Sequence, residues 1–349
     1  MEYTYLGRTG IEVSRYALGT GMLGSLGNPD HDECIRMVQT AFDVGINFID
    51  TADVYSHGES ETIVGKAIKG HRDDIVLATK YFAPMPVDGE ARNRWGASRR
   101  WIVQEVENSL RRLGTDYIDI YLQHHFDSNT AIEETLSALS DLVHQGKVRA
   151  IGSSNFAAER IVEAQWQSEM HSYERFRIEE APYSLFRRGI ERAILPTCRR
   201  YGIGVMAWSP LDGSWLTGRY RQQSDFADSH RFHHVRTRRG GSFEPDSPEH
   251  HQKLELVGQL DVLAQKADMP LTHLATAFTL AHPDVSTVLL GPRTTAQLDD
   301  SLASIEHRLE PELLDALDAL IPPGTDIGLA ESGSTVPLEL GRRYRRRST

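Results

Sequence analysis

Apolar stretches of strand length alternate with helical patterns eight times along the chain, and this alternation restricts its fold more than any other feature. The predicted strands are residues 15–20, 46–50, 74–80, 116–123, 148–154, 176–181, 202–208 and 285–291. Strands that are joined through helices pair in parallel, because each helical crossover returns the chain to the same end of the sheet. Eight such units in 349 residues favour closure into a (β/α)8 TIM barrel.

Amphipathic patterns between the strands predict the helices. Their ranges are 31–44, 59–68, 98–113, 130–145, 157–169, 188–201, 252–267 and 294–304, with one more at 310–320. In the third of these, Ile102 and Leu110 belong to an apolar stripe, and the charged residues lie largely off it. Ser98 fits the N-cap of this helix and Gly114 its C-terminal stop.

The N-terminal residues YTYL and IEVS, around Gly7 and Gly10, predict a β-hairpin ahead of the first barrel strand. An open, doubly wound sheet is the structural alternative. However, GTGMLG at 19–24 is not the Gly-x-Gly-x-x-Gly turn that normally follows the first strand of such a sheet. We therefore predict one barrel domain over residues 1–340. The basic tail, 341–349, is expected to be disordered.

A long irregular segment, 212–251, follows the seventh predicted strand. It is rich in Gly, Ser, Arg and His, and a loop of this length in a compact domain is usually functional or disordered. Its basic stretch RFHHVRTRR, at 231–239, fits either a solvated loop or a lid over a bound ligand.

Composition excludes several classes of function. The net charge of −11 argues against general nucleic-acid binding, which needs a basic face. No stretch approaches the roughly 18 apolar residues of a membrane helix, and the first residues lack the pattern of a signal peptide. The two cysteines, Cys34 and Cys198, form no readable disulfide framework, so we expect a cytoplasmic protein. No histidine shows metal-ligand spacing with a carboxylate, and we predict no metal.

Four ionisable residues lie at or just beyond the ends of three consecutive predicted strands. Asp50 ends the second strand and Tyr55 follows it, Lys80 ends the third, and His124 follows the fourth. These ends meet at one rim of a parallel barrel. An ammonium stabilises a phenolate, a carboxylate holds the ammonium, and an imidazole orients a carbonyl. The set suits protonation of a developing alkoxide, although each residue taken singly also fits a cap, packing or surface role.

Seven motifs, in order along nearly the whole chain, resemble the aldo-keto reductase superfamily, including its long-chain bacterial members and the potassium-channel β subunits. They are FIDTADVY (48–55), VLATKY (76–81), GTDYIDIYLQHH (114–125), IGSSNF (151–156), YSLFRR (183–188), WSPLDGSWLTGRY (208–220) and GPRTTAQLDDSL (291–302). Each motif alone is weak, but the complete set is specific.

The resemblance implies a catalytic tetrad of Asp50, Tyr55, Lys80 and His124, with Tyr55 as the general acid. The cofactor-binding positions that it implies are Gly19, Thr20, Ser154, Asn155, Glu180, Tyr183, Trp208, Ser209, Pro210, Leu211, Gly213, Gly291, Arg293, Gln297, Asp300 and Ser301. Of these, Ser154 and Asn155 would hold the nicotinamide carboxamide and Tyr183 would stack on the ring. Ser209, Leu211 and Gly213 would lie along the pyrophosphate, and the positions from Gly291 onward would bind the adenosine.

The resemblance also favours NADPH over NADH, because an arginine suits a 2′-phosphate and Arg293 is placed to meet it, with Arg219 or Arg221 in addition. Two positions depart from the family pattern. Glu180 replaces the usual Gln, and as a carboxylate it could not donate a hydrogen bond to the carboxamide oxygen. The pair Asp300-Ser301 replaces Glu-Asn near the adenine.

The function that follows from the resemblance is reversible reduction of an aldehyde or ketone to an alcohol. One alternative is a regulatory cofactor-binding protein with little turnover, like the channel β subunits. A glycoside hydrolase that pairs Asp50 with a glutamate of 179–180 ranks low, because it leaves Tyr55 and Lys80 unexplained. The expected partner is a small carbonyl compound, not a nucleic acid or a membrane. The sequence leaves the substrate open, and also whether the chain forms a homo-oligomer.

Overall fold

Eight parallel strands close into a barrel, as predicted, in a computed structural model that describes residues 1–85, 92–220, 241–244 and 247–328. A two-stranded hairpin of β1 (Tyr3–Tyr5) and β2 (Glu12–Ser14) precedes the barrel. The barrel strands are β3 (Tyr16–Gly19), β4 (Phe48–Asp50), β5 (Val76–Tyr81), β6 (Ile118–Gln123), β7 (Val148–Ser154), β8 (Phe176–Pro182), β9 (Gly204–Trp208) and β10 (Val285–Leu290). They pair in chain order, and β10 closes the ring against β3. Both the barrel and the hairpin are therefore confirmed.

Ten α-helices lie in the described part of the chain, on the outside of the barrel or beside it. They are α1 (His31–Asp43), α2 (Glu59–Ala67), α3 (Arg99–Leu113), α4 (Ile132–His144), α5 (Ala158–His171), α6 (Ile194–Tyr201), α7 (Pro248–Lys266), α8 (Leu271–Ala281), α9 (Thr295–Ala303) and α10 (Pro311–Leu320). The α3 boundaries follow the predicted caps. The Ser98 side chain accepts a hydrogen bond from the Trp101 amide, and Gly114 ends the helix in a left-handed conformation.

The helix α8 is absent from the sequence prediction. Its sequence, LTHLATAFTLA, is largely apolar, and it is buried on nearly every face, with His273, Thr276 and Thr279 among the buried residues. A helix that packs on several sides has no polar face and therefore gives no amphipathic pattern to detect. The predicted helix 188–201 is also corrected. A short 3-10 turn, Gly189–Arg192, comes first and α6 begins only at Ile194.

Alternation along the strands produces two apolar layers. The inner cluster fills the barrel, and it includes Ala78, Ile120 and Leu122, whereas Leu77 and Tyr81 point to the outer cluster under the helices. Successive side chains of a strand point to opposite faces. Lys80, two residues after Ala78, therefore lies on the inner face of β5.

The hairpin closes the N-terminal end of the barrel. Leu6 and Val13 are fully buried members of the inner cluster. Gly7 approaches β9 so closely that a Cβ on it would lie 2.4 Å from the Gly204 amide nitrogen, and its φ of +59° is also in the left-handed region. The open end of the barrel is consequently the end where the strands terminate.

Three predicted features lie outside the described residues. They are the basic stretch 231–239, Arg221 and the tail 341–349. Among the described helices, none combines the length and apolarity that crossing a bilayer requires.

Candidate active site

The barrel brings all four residues of the predicted tetrad to one point on its C-terminal rim. Asp50 is the last residue of β4, and Tyr55 opens the 3-10 turn that follows. The Lys80 Nζ lies 2.7 and 2.6 Å from the two Asp50 carboxylate oxygens and 3.3 Å from the Tyr55 hydroxyl oxygen. The Tyr55 and His124 rings meet edge to face, with centroids 6.0 Å apart. The four side chains therefore form one connected cluster at this rim.

Lys80 is fully buried and is held by charge. Its ammonium donates to Asp50 and to the backbone carbonyl oxygen of Thr51, at 3.0 Å. Burial opposes the charged form, but the attraction of Asp50, Glu180 and Tyr55 outweighs it and raises the pKa of Lys80 above its usual value. The lysine is thus a permanent cation beside the phenol.

Tyr55 and His124 are both neutral in this setting. Burial raises the pKa of Tyr55, as do Asp50 and Glu180, and Lys80 only partly offsets these effects. Burial also lowers the pKa of His124 well below its usual value, with further contributions from Lys80 and His125. The phenol therefore carries its proton at neutral pH. The buried Nδ1 of His124 has no hydrogen-bond partner among the described residues.

Glu180, predicted from the sequence only as a cofactor-binding position, joins the tetrad from β8 through a contact with Lys80 that the sequence did not indicate. Its Oε2 lies 3.2 Å from the Lys80 Nζ, so a second buried carboxylate faces the same ammonium as Asp50. Burial and the neighbouring Asp50 carboxylate raise the pKa of Glu180 to about 8, although Lys80 opposes this. Burial likewise raises the pKa of Asp50, against the pull of Lys80.

Beside the tetrad, the ends of β7 and β8 present a small polar surface. The Ser154 hydroxyl donates to the Glu180 carbonyl oxygen at 3.0 Å, and the Asn155 side-chain amide donates to the His124 carbonyl oxygen at 3.1 Å. Asn155 has a left-handed φ of +62°. Its Oδ1 and the Glu180 Oε2 are buried and receive no aligned hydrogen bond from the described residues. Buried polar atoms of this kind are usually satisfied by a ligand or water.

Tyr183 lies elsewhere, which corrects its interpretation as the stacking residue. It is 1% exposed, its ring packs against Phe278 and His282 of the α8 region, and its hydroxyl donates to Glu191 at 2.6 Å. A ring that is enclosed in this way cannot offer a face to a ligand. Trp208, the last residue of β9, packs partly buried against the inner cluster and is a second aromatic side chain at the rim, after Tyr55.

The loop after β9 contains the predicted pyrophosphate residues Ser209, Pro210, Leu211 and Gly213. The Gly213 amide donates to the Ser209 hydroxyl at 3.2 Å, and both residues have left-handed φ values. Between them, the buried Asp212 anchors the loop, because its carboxylate accepts from Lys253 of α7 at 2.5 Å and from Arg187 at 2.8 Å. This anchor was missed in the sequence, since it joins residues 25 and 41 positions apart.

The predicted adenosine residues cluster after β10 and along α9. The Gln297 side chain accepts from the Arg293 amide at 2.8 Å, and the Arg293 side chain makes no ion pair with a described residue. Asp300 instead pairs with His273 at 3.1 Å, and the Ser301 hydroxyl donates to its own helix at the Gln297 carbonyl. Of the remaining predicted positions, Gly19 ends β3, Thr20 follows it, and the exposed Gly291 follows β10.

A wall of aromatic rings extends from the tetrad toward solvent. The His124 and His125 rings are stacked with centroids 5.0 Å apart, and Phe82 packs edge-on to His125 at 5.7 Å. Trp95 packs edge-on to Phe82 at 6.2 Å and is 42% exposed. The described residues contain no group of three or more His, Cys, Asp or Glu side chains arranged for a metal ion.

An eight-stranded parallel barrel with ionisable side chains clustered at the C-terminal ends of its strands is typical of enzymes with this fold. The sequence model of the Aldo/keto reductase family matches residues 15–322. The chain therefore belongs to the aldo/keto reductase family, whose members are oxidoreductases that use nicotinamide cofactors.

Named relatives agree with this assignment. The chain is 38% identical to the "Uncharacterized oxidoreductase YrpG" of Bacillus subtilis, over 93% of this chain and 97% of the relative. It is 38% identical to the "Aldo-keto reductase YhdN" of the same organism, over 86% and 87%. It is also 31% identical to the "Putative voltage-gated potassium channel subunit beta" of Schizosaccharomyces pombe, over 91% and 93%.

Proposed function

We propose that this protein reduces an aldehyde or ketone to an alcohol, reversibly and with NADPH, and that Tyr55 supplies the proton. The observation that carries the proposal is the contact of the Lys80 ammonium with the Tyr55 hydroxyl at 3.3 Å, while Asp50 holds that ammonium at 2.6 Å. A buried cation beside a phenol stabilises the phenolate that forms when the proton leaves. No described Ser or Cys contacts His124, so acyl transfer has no nucleophile here.

The residues at the ends of β7 and β8 fit the carboxamide of a nicotinamide. The Asn155 Oδ1 can accept from its amide, and a protonated Glu180 can donate to its oxygen. When bound, the reduced nicotinamide supplies a hydride from C4 to the carbonyl carbon. We propose Trp208 rather than Tyr183 as the aromatic surface against its ring.

The protein's own residues manage the proton. Burial keeps it on the Tyr55 hydroxyl oxygen at neutral pH. As negative charge develops on the carbonyl oxygen, Tyr55 donates the proton and Lys80 stabilises the phenolate that remains. His124 is neutral and orients the carbonyl oxygen. The aromatic wall beyond His125 favours carbonyl compounds that carry an apolar or aromatic group.

The preference for NADPH rests on Arg293, whose guanidinium forms no ion pair with described residues and can meet a 2′-phosphate in a forked geometry. Ser209, Pro210, Leu211 and Gly213 would follow the pyrophosphate. A cytoplasmic location is supported by the two cysteines, which are buried free thiols.

The test is Tyr55→Phe, with Tyr81→Phe as the matched control. Tyr81 is also a buried tyrosine, but its side chain belongs to the outer cluster. We expect Tyr55→Phe to bind NADPH normally and to lose about 10²–10⁴-fold in turnover, measured by the absorbance of NADPH with benzaldehyde. Tyr81→Phe should keep the rate. Full activity in Tyr55→Phe would refute the role of the phenol.

A regulatory role is the second candidate, favoured by the similarity to a protein named as a channel β subunit. The two are separated by the same assay with wild-type protein. Saturable NADPH binding with negligible consumption, across aromatic, aliphatic and sugar carbonyls, would favour the regulatory role.

A further inference from the structure

Two carboxyl groups, Asp50 and Glu180, face one ammonium at the centre of the site. All three side chains are buried, and Lys80 contacts Asp50 at 2.6 Å and Glu180 at 3.2 Å. With every group ionised, this buried cluster carries a net charge of −1. With one proton retained by the carboxyl groups, it is neutral. An uncompensated charge in a low-dielectric environment is costly, so the cluster favours the state with one proton.

The surroundings indicate that Glu180 is where the proton is held. Asp50 accepts two hydrogen bonds from Lys80, at 2.7 and 2.6 Å, whereas the Glu180 Oε2 has only the longer contact. The carboxylate with the better hydrogen bonds stays ionised more easily. Burial and Asp50 also raise the pKa of Glu180 to about 8.

The groups that face Glu180 from the neighbouring elements are few. Asp50 and Tyr55 approach from β4 and its following turn, and Lys80 approaches from β5. On β7, Ser154 and Asn155 carry no charge. Glu179, on the same strand as Glu180, points to the other face. Its carboxylate accepts from the Phe156 amide at 3.0 Å and from the Ser153 hydroxyl. Lys80 is therefore the cation that Glu180 meets in the described structure.

We propose that Glu180 releases its proton to solvent when the oxidised, cationic form of the nicotinamide cofactor binds, and keeps it when the reduced, neutral form binds. This inference rests on the proposed function, which puts the nicotinamide carboxamide beside Glu180. A cationic ring replaces the proton as the charge that neutralises the cluster. Binding of the cationic ring therefore displaces one proton from Glu180. As the pH rises, the affinity for the oxidised form increases relative to that for the reduced form.

The magnitude follows from the proximity of opposite charges. A cation within a few ångströms lowers the pKa of a carboxyl group by about 1–3 units. By linkage, the same interaction changes the affinity of the cation by the same factor. The ratio of the dissociation constants, oxidised over reduced, should therefore fall by about tenfold or more between pH 6 and pH 9.

The decisive measurement is the number of protons released on binding. It is obtained by calorimetric titration of NADP⁺ and of NADPH, near pH 7, in two buffers with different heats of ionisation. The 2′-phosphate also titrates near neutral pH, but it is common to both forms and cancels in the difference. We expect wild-type protein to release a large fraction of one proton more with NADP⁺ than with NADPH.

Two variants assign the proton. Glu180→Gln is isosteric and should bind both forms with no difference in proton release. Glu179→Gln is the matched control, because Glu179 is an equally buried carboxyl on the same strand, and burial raises its pKa to about 8 as well. This control should keep the wild-type difference. If Glu180→Gln does not fold, the pH dependence of the two dissociation constants in wild-type protein, followed by tryptophan fluorescence, decides alone.

Three results would overturn the inference: equal proton release with both forms in wild-type protein, a difference that persists in Glu180→Gln, or a ratio of dissociation constants that does not change with pH. The absence of binding by either form would overturn the proposed function, and the inference with it. Binding without the proton difference leaves the proposed function intact and overturns only the inference.

Discussion

Replacing Asp212 by Asn should destabilise the barrel and loosen the loop after β9. The carboxylate contacts Lys253 at 2.5 Å and Arg187 at 2.8 Å, and all three side chains are buried. Asp212 also has a left-handed φ of +44°. Asn adopts this conformation as readily as Asp, so the substitution removes the charge and leaves the backbone unstrained.

Two estimates bracket the loss. Burial opposes ionisation of Asp212, but Lys253 and Arg187 outweigh it and lower its pKa from 3.8 to about 2. At about 1.4 kcal/mol per unit, this difference corresponds to roughly 2 kcal/mol. Removal of one partner from a buried ion pair typically costs about 3–5 kcal/mol, because the remaining charges stay buried. We therefore expect the free energy of unfolding to fall by about 2–5 kcal/mol.

The effect should depend on pH in a defined direction. The pKa of Asp212 is lower in the folded than in the unfolded chain, so its contribution is complete above pH 3.8 and is lost as the pH falls toward 2. The difference between wild type and Asp212→Asn should thus be constant from pH 7 to pH 5 and should shrink below pH 4.

The assay is urea unfolding followed by tryptophan fluorescence, together with thermal melting. For 349 residues, a loss of 2–5 kcal/mol lowers the melting temperature by about 3–7 °C. NADPH affinity should also fall, because Asp212 lies between the proposed pyrophosphate residues Ser209 and Gly213. Glu255→Gln, an exposed substitution on the same helix as Lys253, is the control. A melting temperature within 1 °C of wild type would refute the reasoning.

Three further outcomes are expected. Gly65→Ala should lower the free energy of unfolding in urea by about 1–3 kcal/mol, because the added Cβ would lie 2.4 Å from the Leu113 carbonyl oxygen. Gly258→Ala, on α7, should raise it by up to about 1 kcal/mol, because nothing lies within 4 Å of the added Cβ. Equal effects of the two substitutions would contradict this. Arg293→Met should raise the Kd for NADPH about tenfold or more and that for NADH by less than about threefold. Equal changes in the two Kd values would show that Arg293 does not recognise the 2′-phosphate. Trp95→Ala should raise KM for benzaldehyde and leave KM for acetaldehyde unchanged, if the exposed Trp95 ring binds the aromatic group of a substrate as the proposed function requires.

Much of the fold could be predicted because the hydrophobic pattern of a strand or helix depends only on residues that are close in sequence. Each barrel strand was a short apolar run, and the ends of three such runs put Asp50, Lys80 and His124 on one rim. A parallel barrel leaves little freedom in where its strand ends meet. The geometry around Lys80 therefore agrees with the convergence that the sequence predicts, and the chemical roles of these residues stay predictions.

The features that were missed depend on packing across the chain. The contact of Glu180 with Lys80 joins β8 to β5 across the barrel interior, and strand alternation alone does not show which inward-facing groups meet there. Tyr183 follows β8 in a motif that suggested a ligand-facing ring, but Phe278 and Glu191 enclose it. In α8, polar residues such as His273 and Thr276 are buried together with the apolar ones, so the helix has no clear amphipathic pattern to detect. Each case was decided by tertiary neighbours rather than by sequence spacing.

The N-terminal hairpin, which closes one end of the barrel, determines where ligands can enter and leave. Because Leu6 and Val13 close one end of the barrel and the inner cluster fills its interior, a ligand can bind only at the opposite rim. A cofactor and a substrate that bind at this rim would share one entrance, so in the proposed reaction the molecule that lies deeper has to enter first and leave last.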